Sequence, residues 1–537
     1  MNTETTIEAT SDGEPNLYDV VPYESFPFDF TMPERLHAVG RLFGMAPPDF
    51  LTARVLELGC AGGGNLVPMA ARYPKADFIG VDLSAVEIGL ARDLAAAAET
   101  SNVEFRHLSI ADIGADLGLF DYIICHGVLS WVPPPVQEAI FRVCFENLMP
   151  QGVALVSYNT LPGWNMVRSV REMMMYHCER FPPGQEKIDQ GVALLRFVLD
   201  GLGPAQGAWR EVVENELDTL TKGDPTYVLH DHFEGINQPF YLHEVAAAAR
   251  AAGLEYLGDT NLDIMYMHNF PEQVAKTLAA ADDTVRIEQY LDFITNRRFR
   301  VSLFCHPGIP LRRQLDGEVI MDFHLASRLQ TPAPSPIELA YDVPTVFPME
   351  NGREVTANHR FAAALLLDLC ESGGRARPAR VVIRAAADRL APKRREAAQT
   401  QAKVRQALVE LGLQLVFAGG LALHSESPPD VAEVSTRPLA FAPARALASR
   451  GNAWAPNARH RRIDLTGPGD RALLALCDGG RNRAQLAAAM LERVATGELT
   501  VNRAGRPLAD PDEQKGEVAR WTDDMLGQFA RHALLVK

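Results

Sequence analysis

Between Arg54 and Tyr158, short apolar runs alternate with longer stretches whose apolar residues recur at helical spacing. The runs Arg54–Leu58, Asp77–Val81, Val103–His107, Phe120–Cys125 and Val153–Tyr158 predict strands. Ala85–Ala98 and Pro135–Leu148, rich in Ala, Leu and Glu, predict helices. Alternation of this kind means βαβ units and a parallel sheet covered on both faces. The expected fold class is α/β, a Rossmann-like doubly wound sheet. Residues 165–220 read as helical, with Met-rich and Leu-rich faces. Tyr241–Ala252 predicts a helix stopped by Gly253, followed by a short strand at Leu254–Leu257, and Arg298–Cys305 predicts another strand. We read these two strands as closing the same sheet, which makes 165–235 and 260–297 helical insertions. The alternative is a separate helical domain that contains two strands of its own.

The flanking segments divide differently. Residues 1–17 are acidic and polar and read as a disordered leader, with the core at 18–310. A proline-rich linker is expected at 331–349, extended and exposed. Beyond it, 350–425 and 461–537 read as small winged-helix-like domains, with a second linker at Ser425–Pro429. The run Leu366-Leu367-Asp368-Leu369-Cys370 resembles Leu473-Leu474-Ala475-Leu476-Cys477, which leaves both a diverged duplicate and a chance likeness of Leu-rich helices open.

Composition narrows the class. Of the 537 residues, 47% are hydrophobic and 22% charged, as in folded globular proteins. The net charge of −16 argues against a nucleic-acid partner. The stretch from Arg375 to Leu415 runs the other way, with ten Lys or Arg against three acids. That patch reads either as a solvated helix face or as a surface that steers an acidic protein. No apolar run approaches the ~18 residues of a membrane span, and the first residues lack the basic and apolar regions of a secretory signal. The seven cysteines are scattered, with no Cys-x-x-Cys pair, which argues against a disulfide framework or structural zinc and for a reducing cytoplasm. His230-Asp231-His232-x-Glu234 has metal-like spacing but reads better as a hydrogen-bonded loop; no metal is expected.

The most informative run is Val55-Leu56-Glu57-Leu58-Gly59-Cys60-Ala61-Gly62-Gly63-Gly64-Asn65, a strand, a glycine-rich turn and a helix start. Glycines there let backbone approach a ligand at the carboxyl edge of the sheet. Glu57 changes the expected ligand. A carboxylate facing this turn would repel a pyrophosphate, which needs anion-friendly surroundings. It suits a ligand carrying cations, such as S-adenosylmethionine (SAM) with its sulfonium and ammonium. Asp82 ends the next strand, 25 residues after Glu57, and can accept two ribose hydroxyls. Asp112 follows the third strand and is placed for an adenine amino group. Gly59-x-Ala61-x-x-Gly64 also loosely imitates a dinucleotide fingerprint, so a nicotinamide cofactor stays open.

These residues resemble the class I SAM-dependent methyltransferases. A narrower likeness is to bacterial methyltransferases with a methyltransferase regulatory domain, including protein lysine methyltransferases of outer-membrane proteins. It rests on Tyr18-Asp19-Val20-Val21-Pro22-Tyr23-Glu24-Ser25, the glycine-rich run, His126-Gly127-Val128-Leu129-Ser130-Trp131-Val132-Pro133 and Ser157-Tyr158-Asn159-Thr160-Leu161-Pro162-Gly163-Trp164. It continues in Asn296-Arg297-Arg298-Phe299-Arg300 and Arg437-Pro438-Leu439-Ala440. The resemblance implies that Glu57, Gly59, Asp82 and Asp112 hold the cofactor. One departure is Ala61, where a third glycine is usual. The expected cofactor set is Tyr18, Tyr23, Glu57, Gly59, Cys60, Ala61, Gly62, Asn65, Asp82, Leu83, Asp112, Ile113, His126 and Gly127, with Tyr18 and Tyr23 as a lid.

For the acceptor, a lysine amine with pKa of about 10.4 is neutral in only roughly one molecule in a few thousand at pH 7. The site must desolvate it or take its proton. Tyr158, His126, Asn159 and Trp131 are the candidates: His126 as proton relay, Tyr158 and Asn159 to orient the amine, Trp131 with Trp164 as walls. Each also has a plain packing role to fill. The turn after the fourth strand lacks the Asn/Asp-Pro-Pro-aromatic run of exocyclic-amine DNA methylation. The expectation is a SAM-dependent methyltransferase acting on a protein or peptide, most simply its lysine, with a possible homodimer. A small-molecule methyltransferase and a non-catalytic SAM-binding scaffold remain alternatives.

Overall fold

The computed structural model describes residues 21–537 apart from 205–206, 282, 333–336, 340–341, 391–396, 504–505 and 509. The expected leader and Tyr18 lie outside the described residues. The central sheet has seven strands: β1 (Arg54–Leu58), β2 (Asp77–Asp82), β3 (Val103–His107), β4 (Phe120–Cys125), β5 (Leu148–Asn159), β6 (Glu255–Asp259) and β7 (Phe299–Cys305), in the order β3-β2-β1-β4-β5-β7-β6. The first five run parallel, and β7 inserts antiparallel between β5 and β6. Helices α1 (Pro33–Leu42), α2 (Leu66–Arg72), α3 (Ala85–Ala97) and α4 (Pro134–Glu146) cover it. This is a Rossmann-like doubly wound sheet, extended by an antiparallel strand inserted next to its edge.

Its strands are apolar on both faces, as parallel strands under helices must be. Val55, Tyr122, Ile124 and Leu155 pack into one core. Leu56, Leu58, Ile123, Cys125, Val156 and Tyr158 pack into the other. The strand order reverses between β1 and β4, and it is in the crevice beyond the carboxyl ends of strands at such a point that α/β sheets bind ligands.

Helices α5 (Trp164–Cys178), α6 (Gln185–Leu202), α7 (Ala208–Lys222) and α8 (Pro225–Phe233) stand between β5 and β6 and bury an apolar cluster of their own, against which Val21 packs. Helices α9 (Leu242–Ala251), α10 (Glu272–Leu278) and α11 (Thr284–Thr295) flank β6 and β7. Beyond the sheet, β8 (His324–Ser327) pairs with β11 (Arg377–Pro378) and β12 (Leu421–His424), beside α12 (Arg360–Glu371), α13 (Ala379–Leu390) and α14 (Ala397–Phe417). The proline-rich stretch is not simply exposed linker. Strand β9 (Thr345–Pro348) forms a hairpin with β10 (Glu354–Ala357), and Phe347 is fully buried, because a large ring next to two extended strands is worth more in the core than in water. In the basic stretch, Arg377 pairs with Asp368, Arg389 with Glu371, and Arg405 with Glu318, so three of its ten positive charges are met by a neighbouring acid.

The C-terminal domain contains α15 (Ala442–Ser449), the hairpin of β13 (Trp454–Pro456) and β14 (Arg462–Asp464), α16 (Pro468–Leu476), α17 (Arg483–Ala495) and α18 (Pro511–Arg531), around Leu473, Leu474, Leu526 and Phe529. Among the described residues, no helix is long and apolar enough to cross a membrane. The seven cysteines are free thiols, six of them buried.

Candidate functional site

The glycine turn leaves β1 in a left-handed conformation, with φ of +74° at Gly59, +42° at Ala61 and +74° at Gly63. At Gly59 an added Cβ would stand 2.5 Å from Val128 Cγ2, so both the backbone and the space there require glycine. Ala61 takes the same kind of conformation with a Cβ, a strain of order 1 kcal/mol. Asp82 at the tip of β2 holds this turn in place. Its Oδ2 accepts the Ala61 N–H at 2.9 Å, and its Oδ1 accepts the Ser84 N–H at 2.9 Å. Ser84 in turn caps α3 through Glu87.

Glu57 is buried at the floor of the crevice. Asn65 Nδ2 donates to its Oε1 at 2.6 Å, while its Oε2 is buried with no hydrogen-bond partner among the described residues. Burial, opposed by Asn65 and reinforced by Asp82, pushes this carboxyl up to about 8. A buried polar atom without a partner is costly and calls for an explanation. An ammonium placed against Oε2 would satisfy it and stabilise its charge, so the floor fits the cationic part of SAM. Cys60 and Gly62 lie on the same turn. Leu83 is 63% exposed beside Asp82, an apolar side chain offered to a flat ring. Asp112 is exposed on the turn after β3, and Ile113 beside it is buried.

His126 and Gly127 follow β4. Ser157 Oγ lies 2.8 Å from His126 Nδ1 and accepts the Gly127 N–H at 2.7 Å, tying that turn to β5. The His126 ring meets Phe28, Phe30 and Phe299 edge-on, with centroids 4.3, 5.1 and 6.0 Å away. This burial pushes the imidazole down to about 4. Trp131 meets Trp164 edge-on, and Trp164 donates to Asn237 Oδ1 at 2.8 Å.

Tyr158 requires a correction. Alternation along β5 sends Ser157 and Asn159 to one face and Tyr158 to the other. Tyr158 is buried in the core, with its hydroxyl 3.0 Å from Ser302 Oγ and its ring against Phe240, on the face opposite Ser157, whose hydroxyl is the one that meets His126. Asn159 is buried, and its Nδ2 has no partner. The metal-like run lies on α8. His230 Nε2 meets Val21 O, and His232 Nε2 meets Glu216, which also pairs with Arg298. Among the described residues no three His, Cys, Asp or Glu side chains group to hold a metal.

The segment from Val21 to Thr31 lies across the glycine turn as a strap. The Phe28 N–H donates to Asn65 Oδ1 at 3.1 Å, and the Tyr23 N–H donates to Glu87. The Tyr23 ring lies against Tyr227 and His230 of α8. The C-terminal domain grips the strap from outside. The Trp454 indole donates to Glu24, Arg461 pairs with Asp29 at 2.8 Å, and Arg462 covers the Phe26 ring. Ser157, Phe28, Phe30, Glu87 and His460 were not legible as site residues. The aromatic run Phe26-Pro27-Phe28-Asp29-Phe30 was the available signal for the strap; His460 offers none.

Comparison with known proteins fits this arrangement. Residues 55–152 match the family described as "Methyltransferase domain", 224–306 the "Predicted methyltransferase regulatory domain" and 436–534 the "PKMT, C-terminal winged helix domain". Protein RP789 of Rickettsia prowazekii is 36% identical over 97% of this chain and 94% of its own length. PKMT2 from Rickettsia typhi in complex with AdoHcy is 34% identical with a TM-score of 0.85, covering 96% of this chain and 100% of the other. The chain belongs to this family of SAM-dependent methyltransferases. A second structure of PKMT2 from Rickettsia typhi matches with a TM-score of 0.84 and 33% identity. The methyltransferase therefore uses SAM on a Rossmann-like sheet, with a C-terminal winged-helix domain. A nicotinamide cofactor is not supported.

Proposed function

We propose that this methyltransferase transfers the methyl group of SAM to the side-chain amine of a lysine in a protein substrate. The observation that carries the reading is the near-full-length likeness to PKMT2, including the PKMT winged-helix domain that packs on the strap over the crevice. In this reading, Glu57 Oε2 takes the ammonium of SAM, Asp82 the ribose hydroxyls, and Asp112 the adenine amine beside Leu83 and Ile113. Cys60, Ala61, Gly62 and the Gly127 backbone frame the methionine part. SAM supplies a methyl group on a sulfonium, ready for in-line attack.

What the chain must add is position and a neutral amine. His126 is too weak a base to be the main proton acceptor, since burial holds it at about 4. Desolvation carries the step instead. Phe28, Phe30, Phe299 and Trp131 form apolar walls near the His126 turn, and burial against such walls lowers the pKa of a lysine. The free buried thiols support a cytoplasmic setting. Incubation with methyl-labelled SAM and a cell lysate, followed by tandem mass spectrometry, tests the reading. Label on lysine side chains of a protein is expected. Label confined to small molecules, or to other side chains, contradicts it.

A further inference from the structure

A line of hydrogen bonds runs from the floor of the crevice into the winged-helix domain. Asn65 Nδ2 donates to Glu57 Oε1 at 2.6 Å, and Asn65 Oδ1 lies 2.8 Å from His460 Nε2. All three side chains are buried. His460 sits between β13 and β14 at φ +59°, a conformation that costs a residue with a Cβ, and the hairpin bonds of Asn457 hold it there. We propose that His460 is a positioning residue for cofactor binding: it fixes the Asn65 amide so that its nitrogen faces Glu57 Oε1 and leaves Oε2 for the ammonium of SAM. The proposal rests on the reading of Glu57 given above.

The amide has two orientations, and its surroundings choose one. On its oxygen side stand the Phe28 N–H and the His460 Nε2–H; on its nitrogen side stands a carboxylate. A flip would set donor against donor and acceptor against acceptor. Thr31 Oγ1 reaches the amide oxygen at 3.1 Å but shares its one proton with Phe28 O at 2.7 Å, so it is a weaker donor to Asn65 than His460. Burial, with Arg72 nearby and Asp29 opposing, pushes the His460 imidazole down to about 3, so it donates as a neutral group. The other titratable groups around Glu57 are Asp82 on β2, Cys60 on the turn with Glu87 beyond it, and Cys125 on β4. Both thiols are pushed up by burial and stay neutral.

The sign follows. With Glu57 at about 8, the ligand-free protein carries this carboxyl protonated below that pH. Binding a cation requires the carboxylate, so affinity rises with pH, by roughly tenfold per unit at most, until the midpoint is passed. Loss of the His460 donor leaves the Phe28 N–H as the main hold on the amide oxygen, loosens Asn65, weakens the hydrogen bond that lowers the Glu57 pKa, and moves the midpoint up.

Titration calorimetry of the full chain with S-adenosylhomocysteine, across about pH 6 to about pH 9, reads this midpoint. His460→Ala is expected to raise it by about one unit. His460→Gln is expected to restore it, because its amide nitrogen lies as many bonds from Cβ as Nε2. Both variants keep a Cβ at the strained position. Arg450→Ala removes a different contact between the domains, to Asp93 O, and is expected to keep the wild-type midpoint. If His460→Ala fails to fold, His460→Met fills the volume without a donor and carries the same test. Equal weakening at every pH, or no rescue by Gln, overturns the proposal and leaves His460 a packing residue. Glu57→Gln should abolish the pH dependence; if it keeps the wild-type profile, the Glu57 reading fails and this proposal with it. No methyl acceptor enters the measurement, so the lysine reading stands or falls separately.

Discussion

Asp82 has two tasks in the proposed reading. Its carboxylate accepts backbone N–H groups from Ala61 and Ser84, and SAM would add its ribose hydroxyls to the same oxygens, each of which can accept more than one hydrogen bond. Hydrogen bonds to charged groups contribute about 1.5–3 kcal/mol each. Asp82→Ala should therefore weaken S-adenosylhomocysteine binding by on the order of a hundredfold, measured by calorimetry at fixed pH, with a smaller loss in Asp82→Asn. Gly64 makes a different demand. A Cβ there would sit 1.8 Å from Ser25 O, inside the strap. Gly64→Ala should push the strap outward, lower the melting temperature by an amount equivalent to about 1–3 kcal/mol, and alter the Trp454 fluorescence. An unchanged melting curve and emission would count against the strap as described. The glycine turn, and the strand ends that carry Glu57 and Asp82, were legible because their pattern is local: apolar strands and a glycine-rich turn close together in the chain. Tyr158 was misread because strand alternation fixes which neighbours share a face, but not which face meets the crevice. Its partner Ser302 is 144 residues away in sequence.

At the level of elements, the strand that inserts between β5 and β6 brings the strongest buried charge group of the core. Arg300 on β7 is fully buried. It pairs with Asp292 at 2.7 Å and Glu288 at 3.1 Å on α11, and lies 3.6 Å from Asp259 on β6. Burial raises the pKa of Asp259 to about 7, against the pull of Arg300. Removing this buried guanidinium leaves Asp259 and Glu288 facing each other without it, while Asp292 keeps only Arg297 at 2.8 Å. Arg300→Ala should cost about 3–5 kcal/mol, since breaking a buried network strands the partners, read from urea unfolding at neutral pH. A loss below ~1 kcal/mol would show that the cluster is more hydrated than the structure indicates. The run Asn296-Arg297-Arg298-Phe299-Arg300 was visible in the sequence as a motif, but its three acids were not. They lie on a helix and a strand whose placement depends on how the sheet closes. Asn296 ends α11 at φ +48°, a left-handed cap that asparagine tolerates, and so turns the chain into β7.

Across the whole molecule, the crevice is built by parts far apart in the chain. The sheet supplies the floor, the strap covers the glycine turn, and the winged-helix domain holds the strap through Trp454, Arg461 and Arg462. The α/β class and the winged-helix character were legible from periodicity and motif, because both depend on local alternation. The closure of the site was not. His460 and Asn65 are separated by 395 residues, and no periodicity links them. Proline content suggested a free linker where Phe347 in fact anchors a hairpin, since composition does not report which single ring is buried. The central claim is that acidic strand tips converge on the adenosyl ligand. A crystal structure of this chain with S-adenosylhomocysteine tests it most directly. The account predicts the ammonium against Glu57 Oε2, both ribose hydroxyls on Asp82 and the adenine beside Leu83 and Asp112. A ligand bound elsewhere, or one that leaves Glu57 and Asp82 without contact, would contradict it.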